Sequence, residues 1–131
     1  MSATAALIWC PFPDEAAALQ ALDVLLDEGL IACGNVLPAM QSRFVWNGQK
    51  DSATEAGAIL KTNAAVLPRA VERLAQVHPY EEPAIVAWHC DLASPGTIAW
   101  LAGLGGPDTA AACPAADGRY YFTSPLTRRI P

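Results

Sequence analysis

The chain predicts an α+β architecture, a ferredoxin-like βαββαβ sandwich that carries a long β-hairpin and one extra helix. Three observations lead there. Apolar runs and leucine-striped segments follow one another as strand-helix-strand, strand-helix-strand, then helix. Two such split units fold as an antiparallel four-stranded sheet with two helices on one face. Asn47-Gly48 lies between two extended segments and is a strong hairpin signal, because a type I′ turn needs positive φ at both central residues. Pro79 follows a helical stripe, and proline disfavours helical geometry at the residue before it, so that helix should stop at about Val77.

Each element can be justified in order. Thr4 to Cys10 is a short apolar run closed by Pro11 and Pro13, a buried strand. Asp14 is a good N-cap and Glu15 suits the first turn of a helix over Glu15 to Asp27. Leu19, Leu22, Leu25, Leu26 and Leu30 recur at helical spacing and should face the sheet, with Gly29 as the stop. Ile31 to Trp46 is extended, and Gly34 and Pro38 within it predict a bulge or bend. The return strand covers roughly Asp51 to Thr62. Each hairpin arm then spans about 12 residues, against about five or six for an ordinary strand. Two helices cannot cover so much strand. The apolar tip at Phe44, Val45 and Trp46 therefore predicts packing against another subunit.

A second helix follows, capped by Thr62 or Asn63, with Pro68 tolerated near its start. Leu67, Val71, Leu74 and His78 step along one face of it, which directs His78 inward. Ala84 to Cys90 reads as a fourth strand. Ile98, Trp100, Leu101 and Leu104 form a third helix, with Ser94 as N-cap and Pro95 at the first helical position. Residues 1–104 are expected to be the folded domain. Residues 105–118 are rich in Gly, Ala, Pro and Asp, as a linker is. Arg119-Tyr120-Tyr121-Phe122 offers an aromatic anchor, so residues 105–131 are expected to dock on the assembly.

Composition narrows the function. An apolar fraction of 53% and a charged fraction of 16% describe a chain that can bury one core. Net charge is −5 with no Lys/Arg cluster, which argues against a nucleic-acid partner. No apolar run approaches the roughly 20 residues that span a bilayer, and no secretory signal is visible, so a cytoplasmic location is expected. Cys10, Cys33, Cys90 and Cys113 form no C-x-x-C pair and read as free thiols rather than a zinc knuckle. The segment His78-Pro79-Tyr80-Glu81-Glu82-Pro83 concentrates an imidazole, a phenol and two carboxylates. It is the candidate site, although a His that ends a helix can equally serve the last carbonyls.

Ile31-Ala32-Cys33-Gly34-Asn35-Val36-Leu37-Pro38, Trp46-Asn47-Gly48, Lys61-Thr62 and His78-Pro79-Tyr80-Glu81 with Pro83, in that order, together resemble the CutA divalent-cation tolerance proteins. The resemblance covers about Ala6 to Leu104, and Pro13-Asp14-Glu15 fits it too. It implies a ferredoxin-like homotrimer in which the long hairpins close neighbouring sheets edge to edge. It also implies divalent cations, copper especially, as ligands; thiolate and imidazole suit zinc as well, and no metal is expected to be required for folding. The candidate copper ligands carried over are Cys10, His78 and, third, Cys33. Some relatives have a second His before the motif, where this chain has Val77.

A different reading takes the trimer as a PII-like signalling or adaptor protein. It would bind a small anion or metabolite in subunit clefts lined by Lys61, Tyr80, Glu81, Arg43 and Trp46. Function could also rest on a protein partner that the sequence does not name. An enzyme is not expected: the chain has no G-x-S-x-G, no H-E-x-x-H and no phosphate loop. Neighbouring Glu81 and Glu82 point apart in an extended turn and make a poor acid-base dyad.

Overall fold

The computed structural model of the chain describes residues 4–105. The elements run β1 (Ala5–Phe12), α1 (Glu15–Asp27), β2 (Cys33–Trp46), β3 (Gln49–Asn63), α2 (Leu67–Val77), β4 (Val86–His89) and α3 (Pro95–Ala102). The strands form one sheet in the order β2-β3-β1-β4, with every neighbouring pair antiparallel. The expected docking of residues 106–131 lies outside the described residues.

Alternation along β1 divides the sheet into two faces. Ala6, Ile8, Cys10 and Phe12 are fully buried, and so are Ala58 and Leu60 opposite them on β3. Against this face lie Ala18, Ala21, Leu22 and Leu25 of α1 and Leu67, Ala70 and Leu74 of α2. The odd-numbered β1 residues Leu7 and Trp9 point to the other face, beside Trp88 and Val86 of β4. Both β4 residues are exposed.

Local chemistry accounts for the boundaries. Asp14 Oδ1 accepts the Ala17 N–H at 2.8 Å, and Gly29 leaves α1 with φ +71°, the left-handed geometry of a helix stop. The α1 stripe is rotated from the expected one. Ala18 and Ala21 go inward with Leu22 and Leu25, while Leu19 and Leu26 stay 51% and 41% exposed. Small side chains let α1 approach the sheet closely. Leu22 packs directly over Gly34, in the space that a side chain at that position would take. Of the two interruptions, Pro38 carries the expected bulge: register slips between Leu37 and Met40, and Ala39 takes φ +54°. Asn47 and Gly48 have φ +52° and +76°, as the type I′ turn requires.

The N-terminus of α2 departs from expectation. Neither Thr62 nor Asn63 caps it directly, since both belong to β3 and α2 begins at Leu67. Asn63 instead works as a buried joint. Its Oδ1 accepts the Val66 N–H at 2.9 Å and its Nδ2 donates to Leu101 O at 2.7 Å, tying α2 and α3 to the end of β3. Thr62 Oγ1 donates to Leu30 O at 2.8 Å. The strand expected over Ala84 to Cys90 shortens to four residues, although the Cys90 N–H still bonds Ala5 O at 2.9 Å.

Candidate functional site

The site is built where α2 runs out. Pro79 forces His78 from helical to extended geometry, φ −75° and ψ 140°, and this turns the imidazole back under the sheet. Its Nε2 lies 2.8 Å from Pro11 O. That carbonyl is available for a topological reason. Ala5 O bonds to Cys90, so odd-numbered residues of β1 turn their backbone groups to the β4 side. Pairing with β4 ends at Trp9. Pro11 lies beyond it, so its missing N–H costs no ladder bond and its carbonyl is left for the histidine.

The second ring nitrogen is also engaged. The Tyr80 N–H donates to His78 Nδ1 at 3.0 Å, and a backbone N–H can only donate. Nδ1 is therefore the lone-pair acceptor, and Nε2 carries the proton that it gives to Pro11 O. The ring stacks on Phe12, with centroids 4.3 Å apart and planes at 18°. Burial pushes the imidazole below its ordinary range, opposed by the Pro11 carbonyl and the Glu55 carboxylate. His78 is a neutral imidazole fixed in one tautomer.

Tyr80 extends the network to the hairpin. Its ring centroid is 4.9 Å from that of His78, and its hydroxyl donates to Glu55 Oε2 at 2.6 Å, a short charge-assisted bond. Burial and the bond to Glu55 hold the phenol well above its usual range. Cys10 Sγ approaches the same Pro11 carbonyl at 3.6 Å. Burial first, then the Glu55 charge, pushes this thiol up to about 12, so Cys10 is a neutral thiol. One carbonyl oxygen thus collects Cys10 and His78, and the tyrosine next to His78 locks onto the base of the hairpin.

The other expected residues lie elsewhere. Cys33 pairs with Lys61 across β2 and β3, on the face of the sheet opposite Cys10. There Lys61 Nζ donates to Asn35 Oδ1 at 2.8 Å, with Cys33 Sγ at 3.9 Å. Arg43 and Trp46 are exposed far out on β2, and Glu81 is exposed in the turn. Within one chain these residues and Tyr80 do not line a common cleft. The sequence reading missed Glu55, Phe12 and the Pro11 carbonyl. The proline inside an otherwise apolar strand was the available signal for the last of these.

These residues do not fit a resident metal. Among the described residues no three His, Cys, Asp or Glu side chains are grouped to hold an ion. His78 has no free lone pair while Tyr80 N–H occupies Nδ1. Cys10 would have to lose a proton that burial retains, although metals bind thiolates. The arrangement serves as a clamp joining β1, β3 and the end of α2.

Comparison with known proteins identifies the family and the fold. The family model for the CutA1 divalent ion tolerance protein matches residues 6–103. A divalent-cation tolerance protein CutA of Pyrococcus horikoshii is 38% identical over 80 residues, 61% of this chain and 78% of that protein. The crystal structure of CutA from Xylella fastidiosa is 32% identical with TM-score 0.72, covering 75% of this chain and 94% of that one. A structure from Archaeoglobus fulgidus, described as the periplasmic divalent cation tolerance protein CutA, is 27% identical with TM-score 0.70, covering 74% and 94%. With three quarters of its length matched by the family model and the same fold in solved relatives, this chain belongs to the CutA divalent-cation tolerance family.

Proposed function

We propose that the protein acts in the response to divalent metal ions as a ferredoxin-like homotrimer, without catalysing a reaction. Copper, or zinc in its place, is a ligand that comes and goes and is not a resident cofactor. Membership of the family carries the reading toward metal tolerance, and the closed His78 network carries the reading against a built-in metal. Cation exchange then needs soft or imidazole donors that open transiently, as softness and geometry govern such sites. Cys10 and His78 are the pair to test first, because a cation reaching them must displace two hydrogen bonds and a proton. Cys33 is half-buried and already in contact with Lys61 and Asn35. A cytoplasmic location accords with the free thiols of Cys10, Cys33 and Cys90. Cell fractionation tests it against the periplasm named for the Archaeoglobus relative.

The deciding measurement is metal content together with calorimetric titration. Purified protein should hold well under one copper or zinc per chain, and its melting midpoint should not move after dialysis against a chelator. Copper titration should release protons and should weaken about tenfold in Cys10→Ala. A chelator-induced drop in the midpoint would establish a resident metal and defeat the proposal. Equal, weak binding in wild type and Cys10→Ala would remove Cys10 from the metal path.

A further inference from the structure

The rotation of α1 leaves an unpartnered face. Glu15, Leu19, Asp23 and Leu26 fall on one side of the helix at i, i+4, i+8 and i+11, and all four are exposed. Two large aliphatic side chains thus lie between carboxylates, with Asp27 beside them. Among residues 4–105 there are five Lys/Arg and eleven Asp/Glu, and α1 itself has no basic residue. Residues 119–131 have the opposite character: three arginines, two tyrosines and a phenylalanine, with no acidic residue.

We propose that this chain's own segment Arg119–Arg129 docks on the outer face of α1, its aromatic side chains covering Leu19 and Leu26 and its arginines meeting Glu15, Asp23 and Asp27. Reach permits it. Gly105 is anchored beside the first turn of α2, where Arg69 Nη2 donates to its carbonyl at 3.2 Å. The 13 residues from 106 to 118 span up to about 45 Å when extended, more than the width of a domain of about 100 residues. The other exposed apolar surfaces suit the segment less well. The hairpin tip at Phe44–Trp46 carries two cations, Arg43 and Lys50, against one carboxylate, Asp51, a net positive balance that disfavours arginines. Val86 and Trp88 lie on the sheet face that also bears Lys61. Leu92 is a single exposed leucine beside one carboxylate, Asp91, whereas the α1 face joins two exposed leucines to the three carboxylates of Glu15, Asp23 and Asp27. A surface of this kind stays apolar and open unless something covers it.

Limited trypsinolysis of the full chain tests the docking, because Arg119, Arg128 and Arg129 are themselves cleavage sites. Cleavage at Arg119 and Arg128 should be at least tenfold slower in wild type at low salt than in Leu19→Glu/Leu26→Glu. It should accelerate comparably in 0.5 M salt, where surface ion pairs are screened. Cutting at Arg43 and Lys50 should stay unchanged. Leu19 and Leu26 are exposed, so the double variant should keep its circular dichroism spectrum. An Arg119→Glu chain, altered only in the segment, gives the same readout at Arg128 without touching the core. Equal cleavage of these arginines in wild type and both variants would overturn the proposal. So would protection that survives the α1 changes but disappears in Trp88→Glu, which would place the segment on the sheet.

Discussion

His78 has both ring nitrogens in use, so its charge state and the geometry of the turn are one property. Protonation would put a hydrogen on Nδ1, where the Tyr80 N–H already points, and two donors cannot face each other. The fold therefore favours the neutral ring, and its pKa lies below the ordinary value. A depressed histidine takes up its proton later in the folded chain than in the unfolded one. Its contribution is complete above the unfolded value, about 6.5, and is lost as pH falls through the folded value. His78→Gln should cost about 1–2 kcal/mol at pH 7.5 through the lost hydrogen bonds. Urea midpoints measured from pH 7.5 to 5 should fall for wild type and flatten for the variant. Parallel curves would show that another group governs the acid limb. Much of this residue was legible in advance, because Pro79 dictates where α2 ends and the heptad-like steps from Leu67 dictate that His78 faces inward. Glu55 was not legible, since it lies 25 residues from Tyr80 and meets it only through strand pairing. The Cys10 and Cys33 thiols look alike in sequence, and only the parity of β1 and β2 puts them on opposite faces.

Among the elements, those fixed by backbone chemistry agreed most closely with the sequence. Asp14 and Gly29 bound α1, Asn47-Gly48 closes the hairpin, and Ser94 accepts the Thr97 N–H at 3.3 Å to start α3. Elements fixed by packing shifted. Leu19 and Leu26 fit a leucine stripe on paper, but the close approach of α1 at Gly34 selects alanines for the contact. Asn63 has the chemistry of a cap, yet its amide joins three elements, a role that depends on Leu101, 38 residues away. Asn63→Ala would leave the Val66 N–H and Leu101 O without their partner in a buried setting, at about 1–3 kcal/mol for each unsatisfied group. Chemical denaturation should show an unfolding free energy lowered by a total of about 2–6 kcal/mol at an unchanged slope. Hydrogen exchange of the α3 amides should accelerate more than that of β1. Uniform acceleration across the molecule would show that Asn63 supports the core generally and is not the tie that holds α3.

For the whole molecule the hairpin is the dominant fact. Pairing of β1 with β3 ends at Phe12 and Ala56. Beyond it Gln49 to Glu55 and Met40 to Trp46 pair only with each other. An isolated two-stranded ribbon is marginal in water, yet this one carries Phe44, Val45 and Trp46 at 41%, 68% and 58% exposure. The four-residue β4 leaves the opposite edge of the sheet open, with Val86 and Trp88 uncovered. A protruding apolar ribbon and an open apolar edge on the same chain would be the complementary halves of the proposed contact between copies, and rotation can close such a head-to-tail contact into a ring. Three copies is the number proposed. The Tyr80–Glu55 bond sits at the ribbon's root, so the His78 clamp would set the angle at which the ribbon leaves its own subunit. Light scattering on wild type should give about three times the chain mass of 13.8 kDa. Val45→Lys/Trp46→Lys should shift the population toward one chain by placing unpaired charge in the contact, with little change in circular dichroism. A single-chain mass for wild type would refute ring closure through the hairpin. A double variant as trimeric as wild type would place the subunit contact away from the tip.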